Sequence, residues 1–313
     1  MIRFAIIGFG KIARDQHLPA LTAHGGYELK AVVTRAGCGD GGPRCFDTAE
    51  QMLAALGGEL DAVAISTPPG PRYAVARQCL DADLDLLLEK PPTTTLGEIE
   101  ELRDEAARRG RVLFTTWHSQ HAAAVEQARA LLAGQRIAAL DICWREDVNT
   151  YHPGQDWVWE PEGFGVFDPG INALSIASRI VPAKLILEDA VLHIPEGRQQ
   201  PIKAELTMSS PAADDPLHAT FDWAPTVEEE WTIRITLSDG RRLELRRGGA
   251  ELLVDGQVQP ATGPGEYPAI YGEFARLVAE RRSRVDMEPL RMVADALMIG
   301  RREVAPAFEW SRR

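Results

Sequence analysis

The sequence has 313 residues, 45% apolar and 26% charged, so it is long enough for two soluble domains that each bury a core. Its 34 basic and 46 acidic residues give a formal net charge of −12 with no basic stripe, which argues against a nucleic-acid partner. No apolar run approaches the ~18–20 residues that span a membrane, and Met1 leads directly into a strand. We therefore expect a cytoplasmic protein with no membrane partner and no secretory leader.

The first third of the chain alternates short apolar strands with helices, which is the pattern of a doubly wound parallel α/β sheet. The predicted strands are Phe4–Ile7, Leu29–Val33, Ala62–Ile65, Leu84–Leu88 and Val112–Thr116. The predicted helices are Lys11–Ala23, Thr48–Leu56, Arg72–Ala82 and Leu96–Arg109, the last with a capped start at Thr94-Thr95-Leu96 followed by Glu98. We assign residues 1–120 to a dinucleotide-binding Rossmann domain.

Beyond residue 120 the pattern changes, and strands follow one another with few helices between them. The predicted strands are Ala138–Trp144, Leu185–Ile194, Lys203–Met208, His218–Trp223, Trp231–Leu237 and Arg242–Leu245. The predicted helices are Ala122–Gly134, Pro169–Ile180, Tyr267–Arg281 and Leu290–Arg301. Apolar and polar residues alternate along Trp231–Leu237, which predicts a sheet with one buried face. We therefore predict that residues 121–313 form an α+β domain with a largely antiparallel open sheet. We expect this domain to bind the substrate and to mediate oligomerisation.

The four cysteines show no paired C-x-x-C spacing, so the sequence indicates neither a metal site nor a disulfide framework. We expect four buried or inert thiols, at Cys38, Cys45, Cys79 and Cys143.

A glycine-rich turn follows the first strand. Gly8 and Gly10 allow the backbone to turn tightly and approach a pyrophosphate, and Ala13 fills the third small position of the fingerprint. At the first strand of a βαβ unit this spacing predicts dinucleotide binding by Gly8, Gly10, Lys11 and Ile12 more strongly than a purely structural turn.

The second strand ends at Thr34 and Arg35, where an NAD-selective site usually has Asp or Glu for the ribose hydroxyls. A hydroxyl and a guanidinium suit a 2′-phosphate instead, so we predict NADP as the favoured cofactor and NAD as the second. The alternative is an arginine that is merely solvated at the start of a loop.

Further polar residues follow the later strands, at the edge where parallel sheets bind ligands. Ser66, Thr67 and Pro68 are candidates for the nicotinamide side of a cofactor site, as are Glu89 and Lys90 after the fourth strand. His118 follows the fifth strand. Most histidines at the end of a strand are structural, so only its location at this edge of the sheet makes His118 a candidate.

At these motifs the chain resembles the glucose-fructose oxidoreductase and inositol dehydrogenase (Gfo/Idh/MocA) family, and within it the bacterial L-arabinose and D-galactose 1-dehydrogenases. The resemblance covers essentially the whole chain. It rests on the segments Gly8–Ala13, Ser66–Pro69, Glu89-Lys90-Pro91 and Phe167–Asn172. The Glu-Lys-Pro motif is the most specific, and it implies that Lys90 reaches the substrate beside the nicotinamide while Glu89 frames the site.

The chain departs from the wider family in one helix motif, which there reads Asp-Gly-x-x-His. Here Asp168 is followed four residues later by Asn172, so both side chains share one helix face. An amide does not accept a proton usefully, which removes the usual histidine base and favours the 1-dehydrogenase subgroup. The alternative is a structural helix start, with Asp168 as its cap and Asn172 on the surface.

The resemblance implies catalytic roles for Lys90, Asp168 and Asn172. A sugar's anomeric hydroxyl is more acidic than an ordinary alcohol, so Lys90 can serve as a neutral base or proton relay. Asp168 can take the proton or orient Lys90, and Asn172 can hold a sugar hydroxyl; the sequence leaves these roles open.

The resemblance also implies that Glu146, His152 and His118 bind sugar hydroxyls, with Lys90, Asp168 and Asn172. Among the tryptophans, most of which pack in cores, Trp157 is the first candidate for stacking on the sugar because its loop leads into Asp168. The expected function is NAD(P)-dependent oxidation of L-arabinose or D-galactose at C1 by a homo-oligomer. The alternatives are oxidation of another sugar or inositol hydroxyl and a non-catalytic sugar- or nucleotide-sensing regulator.

Overall fold

The computed structural model describes residues 1–37, 42–225, 227–261 and 263–310. Within these ranges the strands are β1 (Ile2–Ile7), β2 (Tyr27–Val33), β3 (Arg44–Phe46), β4 (Ala62–Ile65), β5 (Asp85–Glu89), β6 (Leu113–Thr116), β7 (Ile137–Arg145), β8 (Ile186–Pro195), β9 (Lys203–Ser209), β10 (Leu217–Asp222), β11 (Glu230–Leu237), β12 (Arg242–Arg246), β13 (Glu251–Val254), β14 (Gln257–Gln259) and β15 (Arg301–Ala305). The α-helices are α1 (Leu18–His24), α2 (Ala49–Leu56), α3 (Pro69–Asp81), α4 (Leu96–Arg108), α5 (Val125–Leu132), α6 (Val148–Tyr151), α7 (Phe167–Ile180), α8 (Glu266–Glu280) and α9 (Glu288–Ile299).

Six parallel strands form the sheet of the first compact unit, which comprises Met1–His118 and Gly265–Met287. They pair in the order β3-β2-β1-β4-β5-β6. The residues of β4, β5 and β6 are buried throughout, as expected for a parallel sheet that is covered on both faces. This sheet confirms the predicted doubly wound α/β fold. Only the three-residue edge strand β3 was not predicted, because its sequence lacks an apolar run.

Helix α8 completes the core of this unit from far along the chain. Its Tyr271 and Phe274 are fully buried against Phe4 of β1, with ring centroids 5.9 and 6.2 Å from that of Phe4. The predicted domain boundary after residue 120 assigned α8 to the second domain, whereas the structure places it in the first unit. Apolar periodicity shows that a helix is buried, but it does not show against which sheet.

The second unit, Ser119–Pro264 with Glu288–Arg313, contains a mixed nine-stranded sheet. The strand order is β14-β13-β12-β11-β7-β10-β9-β8-β15, with β7–β10 and β8–β15 parallel and the other pairs antiparallel. Helices α5, α7 and α9 pack against this sheet, and Ile233, Ile235 and Leu237 of β11 are buried on one face as predicted. The predicted α+β class is confirmed, whereas the short strands β13, β14 and β15 were not predicted.

Helix α4 begins with the capping box that the sequence predicted. The Thr95 hydroxyl accepts from the Glu98 amide at 3.3 Å, and the Glu98 carboxylate accepts from the Thr95 amide at 3.1 Å. Among the described residues, no helix combines the length and apolar character that crossing a bilayer requires.

The cysteines differ in part from the expectation of four inert thiols. Cys45 is disulfide-bonded, which corrects that expectation, and Cys38 lies outside the described residues. Pairing depends on how the backbone brings two Cβ atoms together, and spacing along the chain does not reveal this. Cys79 and Cys143 are free thiols, and burial is the main cause that raises the pKa of Cys79 to about 12 and that of Cys143 to about 11.

Candidate functional site

The turn after β1 uses its two glycines for different purposes. Gly8 has a φ of +89°, and a Cβ atom there would lie 2.7 Å from the backbone of both Ser66 and Thr67. The amides of Gly8 and Phe9 both donate to Val33 O at 3.0 Å. At Gly10 nothing lies within 4 Å of the position that a Cβ atom would take. Gly8 is therefore required by the fold, whereas Gly10 leaves open space beside the backbone.

The chain becomes helical immediately after this turn. Residues 11–24 are continuously helical, with a π-turn at Ala13–His17 leading into α1. Ala13 is fully buried, as the fingerprint requires, while Ile12 is 40% exposed and exposed Lys11 pairs with Asp15. The start of this helix presents backbone amides and a partial positive charge next to the open space at Gly10, an arrangement that suits a phosphate.

Thr34 and Arg35 follow β2 as predicted. The Thr34 amide donates to Phe46 O at 2.9 Å, and its hydroxyl accepts from the Ala36 amide at 3.2 Å. The Arg35 side chain is exposed. The hydroxyl therefore shapes the start of the loop, and the guanidinium is accessible to an anionic group.

A buried arginine ties together two predicted segments of the site. Arg72 of α3 is 3% exposed, and its guanidinium donates to the carbonyl oxygens of Thr67, Glu89 and Pro91. It thus joins the Ser66–Pro68 segment after β4 to the Glu89–Pro91 segment at the end of β5. Arg72 was not predicted as a site residue, because an arginine in a helical pattern normally indicates a solvated face.

Glu89 is a buried carboxylate that receives hydrogen bonds at both oxygens. Its Oε1 lies 3.0 Å from His17 Nε2 and 2.8 Å from the Tyr267 hydroxyl, and its Oε2 accepts from the Lys90 amide at 2.9 Å. Burial alone would raise the pKa of Glu89. The hydrogen bond and charge of His17, the charge of His118 and the Tyr267 hydroxyl outweigh burial and lower the pKa to about 2. Glu89 is therefore an anion at neutral pH, beside the backbone of Lys90.

His17 links this carboxylate to the core of the first unit. Its side chain is fully buried at the end of the π-turn, and its Nδ1 lies 2.9 Å from the Tyr271 hydroxyl. The Tyr27 hydroxyl in turn donates to Tyr271 O at 2.6 Å. His17 and these tyrosines were not predicted as site residues, because a histidine or tyrosine in an apolar pattern does not indicate which groups it contacts.

His118 also belongs to this cluster of the first unit. Its Nδ1 lies 2.8 Å from Glu266 Oε2, and its ring stacks on Tyr267 with the centroids 5.9 Å apart. Burial lowers the pKa of His118, but Glu266 and Glu89 outweigh that effect and the opposing charge of Lys90, so the pKa is raised. Lys90 itself is half-buried. The structure therefore brings Glu89, Lys90 and His118 into one electrostatic cluster.

The second unit brings together Asp168 and His152. Asp168 is buried in the first turn of α7, and its Oδ2 lies 3.1 Å from His152 Nε2. Asn172 lies one turn further along α7 and is half-buried. A Cβ atom on Gly170 would lie 2.9 Å from the Phe221 ring, so the start of α7 packs closely on β10.

Glu146 follows β7 and accepts hydrogen bonds from two indoles. Trp223 Nε1 donates to Oε1 and Trp231 Nε1 donates to Oε2, both at 3.1 Å. These bonds fix the carboxylate plane. A rigid acceptor pair of this kind suits the hydroxyls of a polyol.

The tryptophans divide into core residues and partly exposed residues. Trp159 and Trp223 are 1% and 0% exposed, so they serve the core. Trp157 and Trp231 are half-buried, and Trp157 Nε1 donates to Gln155 Oε1 at 3.0 Å. The same Gln155 oxygen lies 3.3 Å from His152 Nδ1. Trp157 therefore keeps an accessible edge close to the His152–Asp168 pair.

Comparisons with known proteins extend over the whole chain. Residues 2–117 match a family model described as an oxidoreductase family with an NAD-binding Rossmann fold. A galactose 1-dehydrogenase from Pseudomonas fluorescens is 40% identical over 309 residues, which cover 98% of this chain and 98% of that protein. The first unit is therefore an NAD-binding Rossmann domain.

Two solved structures extend the comparison to the fold. The D-galactose-1-dehydrogenase from Rhizobium etli matches with a TM-score of 0.92 and 42% identity, covering 98% of both chains. A 3-ketoreductase from Actinomadura kijaniata, solved with NADP and TDP-benzene, matches with a TM-score of 0.82 over 97% of this chain and 99% of that chain. At 20% identity the second match shows a shared fold alone.

Proposed function

The chain belongs to the Gfo/Idh/MocA family of oxidoreductases, and we propose that it oxidises D-galactose, L-arabinose or both at C1 to the aldonolactone, with hydride transfer to a nicotinamide. The observation that carries this proposal is the similarity, over 98% of the chain, to a galactose 1-dehydrogenase. The two sugars differ only in the substituent at C5. A pocket with room at that position discriminates between them by only ~1–3 kcal/mol.

The first unit supplies the binding elements for a nicotinamide dinucleotide. The open space at Gly10 and the helix start after it suit the pyrophosphate, and we assign the nicotinamide side to Ser66, Thr67 and Pro68. When bound, the nicotinamide supplies the hydride acceptor. We propose NADP as the preferred form and NAD as the second, because the exposed guanidinium of Arg35 suits a 2′-phosphate.

We propose that Lys90 accepts the proton of the sugar O1 hydroxyl, either as the general base or as part of a proton relay. The lysine backbone is held by Glu89, and Arg72 fixes the carbonyls of the residues before and after it. Asp168, oriented by His152, and Asn172 bind or orient the sugar hydroxyls. Glu146 and His118 provide further acceptors and donors, and Trp157 offers a flat face to the ring.

Absorbance of the reduced nicotinamide, measured with a panel of aldoses and polyols and with both cofactors, tests this function. We expect turnover with D-galactose and L-arabinose, a product that hydrolyses to an aldonic acid, and a lower KM for NADP than for NAD. A keto sugar product would support the alternative, oxidation of another sugar or inositol hydroxyl. Binding of sugar and nucleotide without turnover would support the sensing regulator.

We also propose that the protein is a cytoplasmic homo-oligomer that associates through the exposed face of the second sheet. This face carries alternating acidic and basic side chains, such as the Arg234–Glu230 and Arg246–Glu244 pairs. Sedimentation at several protein concentrations tests the assembly. A single species with the mass of one chain would contradict it.

A further inference from the structure

We propose that His17 is a positioning residue for the lysine segment: it holds the Glu89 carboxylate in the orientation that fixes the backbone of Lys90. The inference rests on the proposed function for the role of Lys90 as a base. It goes beyond that function because it assigns a task to a residue of the helix that follows the dinucleotide turn.

The first step is the environment of His17. The ring is fully buried, and both nitrogens are engaged, Nδ1 with the Tyr271 hydroxyl at 2.9 Å and Nε2 with Glu89 Oε1 at 3.0 Å. The Nε2 proton is present in the imidazolium and also in the neutral tautomer in which Tyr271 donates to Nδ1. In both forms His17 donates to Glu89. The ring also packs edge-on against Tyr267, with centroids 4.9 Å apart, so it has little freedom to rotate.

The second step runs from Glu89 to Lys90. The oxygen that His17 does not contact, Oε2, accepts from the Lys90 amide at 2.9 Å. A carboxylate is a rigid plane, so fixing Oε1 between His17 and Tyr267 also fixes where Oε2 lies. The direction of the Lys90 amide therefore depends on two side chains from distant parts of the sequence.

The third step concerns the other side of the lysine. Arg72 holds the carbonyls of Glu89 and Pro91. The peptide group that joins Glu89 to Lys90 is therefore held by Arg72 at its carbonyl and by the Glu89 carboxylate at its amide, and the carbonyl one residue beyond Lys90 is held by the same arginine. A base must be placed accurately, since a misplacement of about 1 Å can cost about 10²-fold in rate. A long lysine side chain needs a fixed backbone to meet this demand.

Two substitutions of similar size distinguish a role of His17 in orienting Glu89 from a role in packing the core. In His17→Gln the amide nitrogen reaches about as far as Nε2 and can still donate to Glu89. In His17→Asn the amide reaches only about as far as Nδ1, so the contact with Glu89 is lost. Both variants leave unchanged the residues that we assign to cofactor and sugar binding.

The experiment follows hydrogen exchange at the Lys90 amide, together with kcat, KM, the affinity for reduced cofactor and Tm. For His17→Asn we expect exchange to accelerate by about tenfold or more and kcat to fall by about 10–100-fold, with cofactor affinity within about threefold of wild type. For His17→Gln we expect exchange and kcat near wild type. Unaltered Lys90 exchange in His17→Asn, or equal losses in both variants, would overturn the proposal.

A third variant covers the case in which His17→Asn does not fold. Tyr271→Phe removes the hydroxyl that orients the ring and keeps its packing, so we expect faster Lys90 exchange and a lower kcat. Wild-type exchange in that variant would refute the positioning role. If the wild-type protein oxidises no aldose, the proposed function fails, whereas the exchange measurements still test what His17 does.

Discussion

Glu89 shows how a buried charge can be retained close to a reactive group. Taking a carboxylate out of water is costly, and the cost is offset only when donors replace the lost hydration. His17, Tyr267 and the Lys90 amide supply those donors. The result is a fixed negative charge beside the lysine that we propose as the base.

The Lys90 amine is the group on which the proposed oxidation depends most. Lys90→Ala should lower kcat by about 10²–10⁴-fold, because general base catalysis is lost, while the affinity for reduced cofactor changes little. Steady-state kinetics and fluorescence titration with the reduced cofactor measure the two effects. Lys90→Arg is the matched control, since it keeps a long cation but cannot accept a proton at neutral pH. Wild-type turnover in either variant would contradict the role.

Arg35 is the residue that we expect to distinguish the two cofactors. Arg35→Ser should raise the KM for NADP by about 10–150-fold and leave the KM for NAD within about twofold, because one charge-assisted hydrogen bond to a phosphate contributes about 1.5–3 kcal/mol. Initial rates with each cofactor at saturating sugar give both constants. Replacement of Arg44 is the control, because Arg44 is also exposed but its guanidinium lies over the Phe46 ring. An equal change for NAD and NADP would assign Arg35 a different task.

At the scale of single elements, we expect opposite effects on stability when the two glycines of the turn after β1 are replaced. Gly8→Ala should destabilise the protein by about 1–3 kcal/mol or prevent folding, because φ is positive and the added Cβ atom would meet the backbone of Ser66 and Thr67. Gly10→Ala should leave the free energy of unfolding within about 0.5 kcal/mol of wild type, since its surroundings are open. It should nevertheless weaken cofactor binding.

Urea unfolding and cofactor titration of both variants give the comparison. Full cofactor affinity in Gly10→Ala would place the pyrophosphate elsewhere. Wild-type stability in Gly8→Ala would show that the contact with Ser66 and Thr67 can relax.

The elements also show what a sequence can and cannot predict. Strand β4 was predicted to the residue because a short apolar run leaves few alternatives. The first residue of α4 was predicted because its capping box marks the start of the helix. The short strands β3 and β14 have no such run, and their pairing comes from neighbouring strands. Lys90 and Asp168 were proposed as site residues because they lie in motifs. Arg72 and His17 were not, because their importance lies in partners that are distant in sequence.

At the scale of the whole molecule, the buried Glu89 makes stability depend on pH. Its pKa is about 2 in the folded protein and near its usual value of 4.5 when unfolded, so the unfolded chain takes up the proton first as pH falls. The stability that Glu89 contributes is complete above about pH 4.5 and is lost progressively toward pH 2. In Glu89→Gln the fall over this window should be smaller, and stability at pH 7 lower.

The free energy of unfolding, measured by urea between pH 7 and pH 3, tests this dependence. The control is Glu100→Gln, which removes an exposed carboxylate from α4 of the same unit. Wild type and Glu100→Gln should lose stability in parallel. A Glu89→Gln curve parallel to both would show that Glu89 is not held as an anion by the fold.

The late position of α8 has a consequence for biosynthesis. The first unit needs Tyr267, Tyr271 and Phe274, so most of the chain must leave the ribosome before this unit can close its core. Until then the apolar surface of β1 and β2 stays uncovered and is prone to aggregation. A chain cut after Pro264 should accordingly accumulate in inclusion bodies, and supplying the missing residues 265–313 as a separate peptide should recover part of it in soluble form.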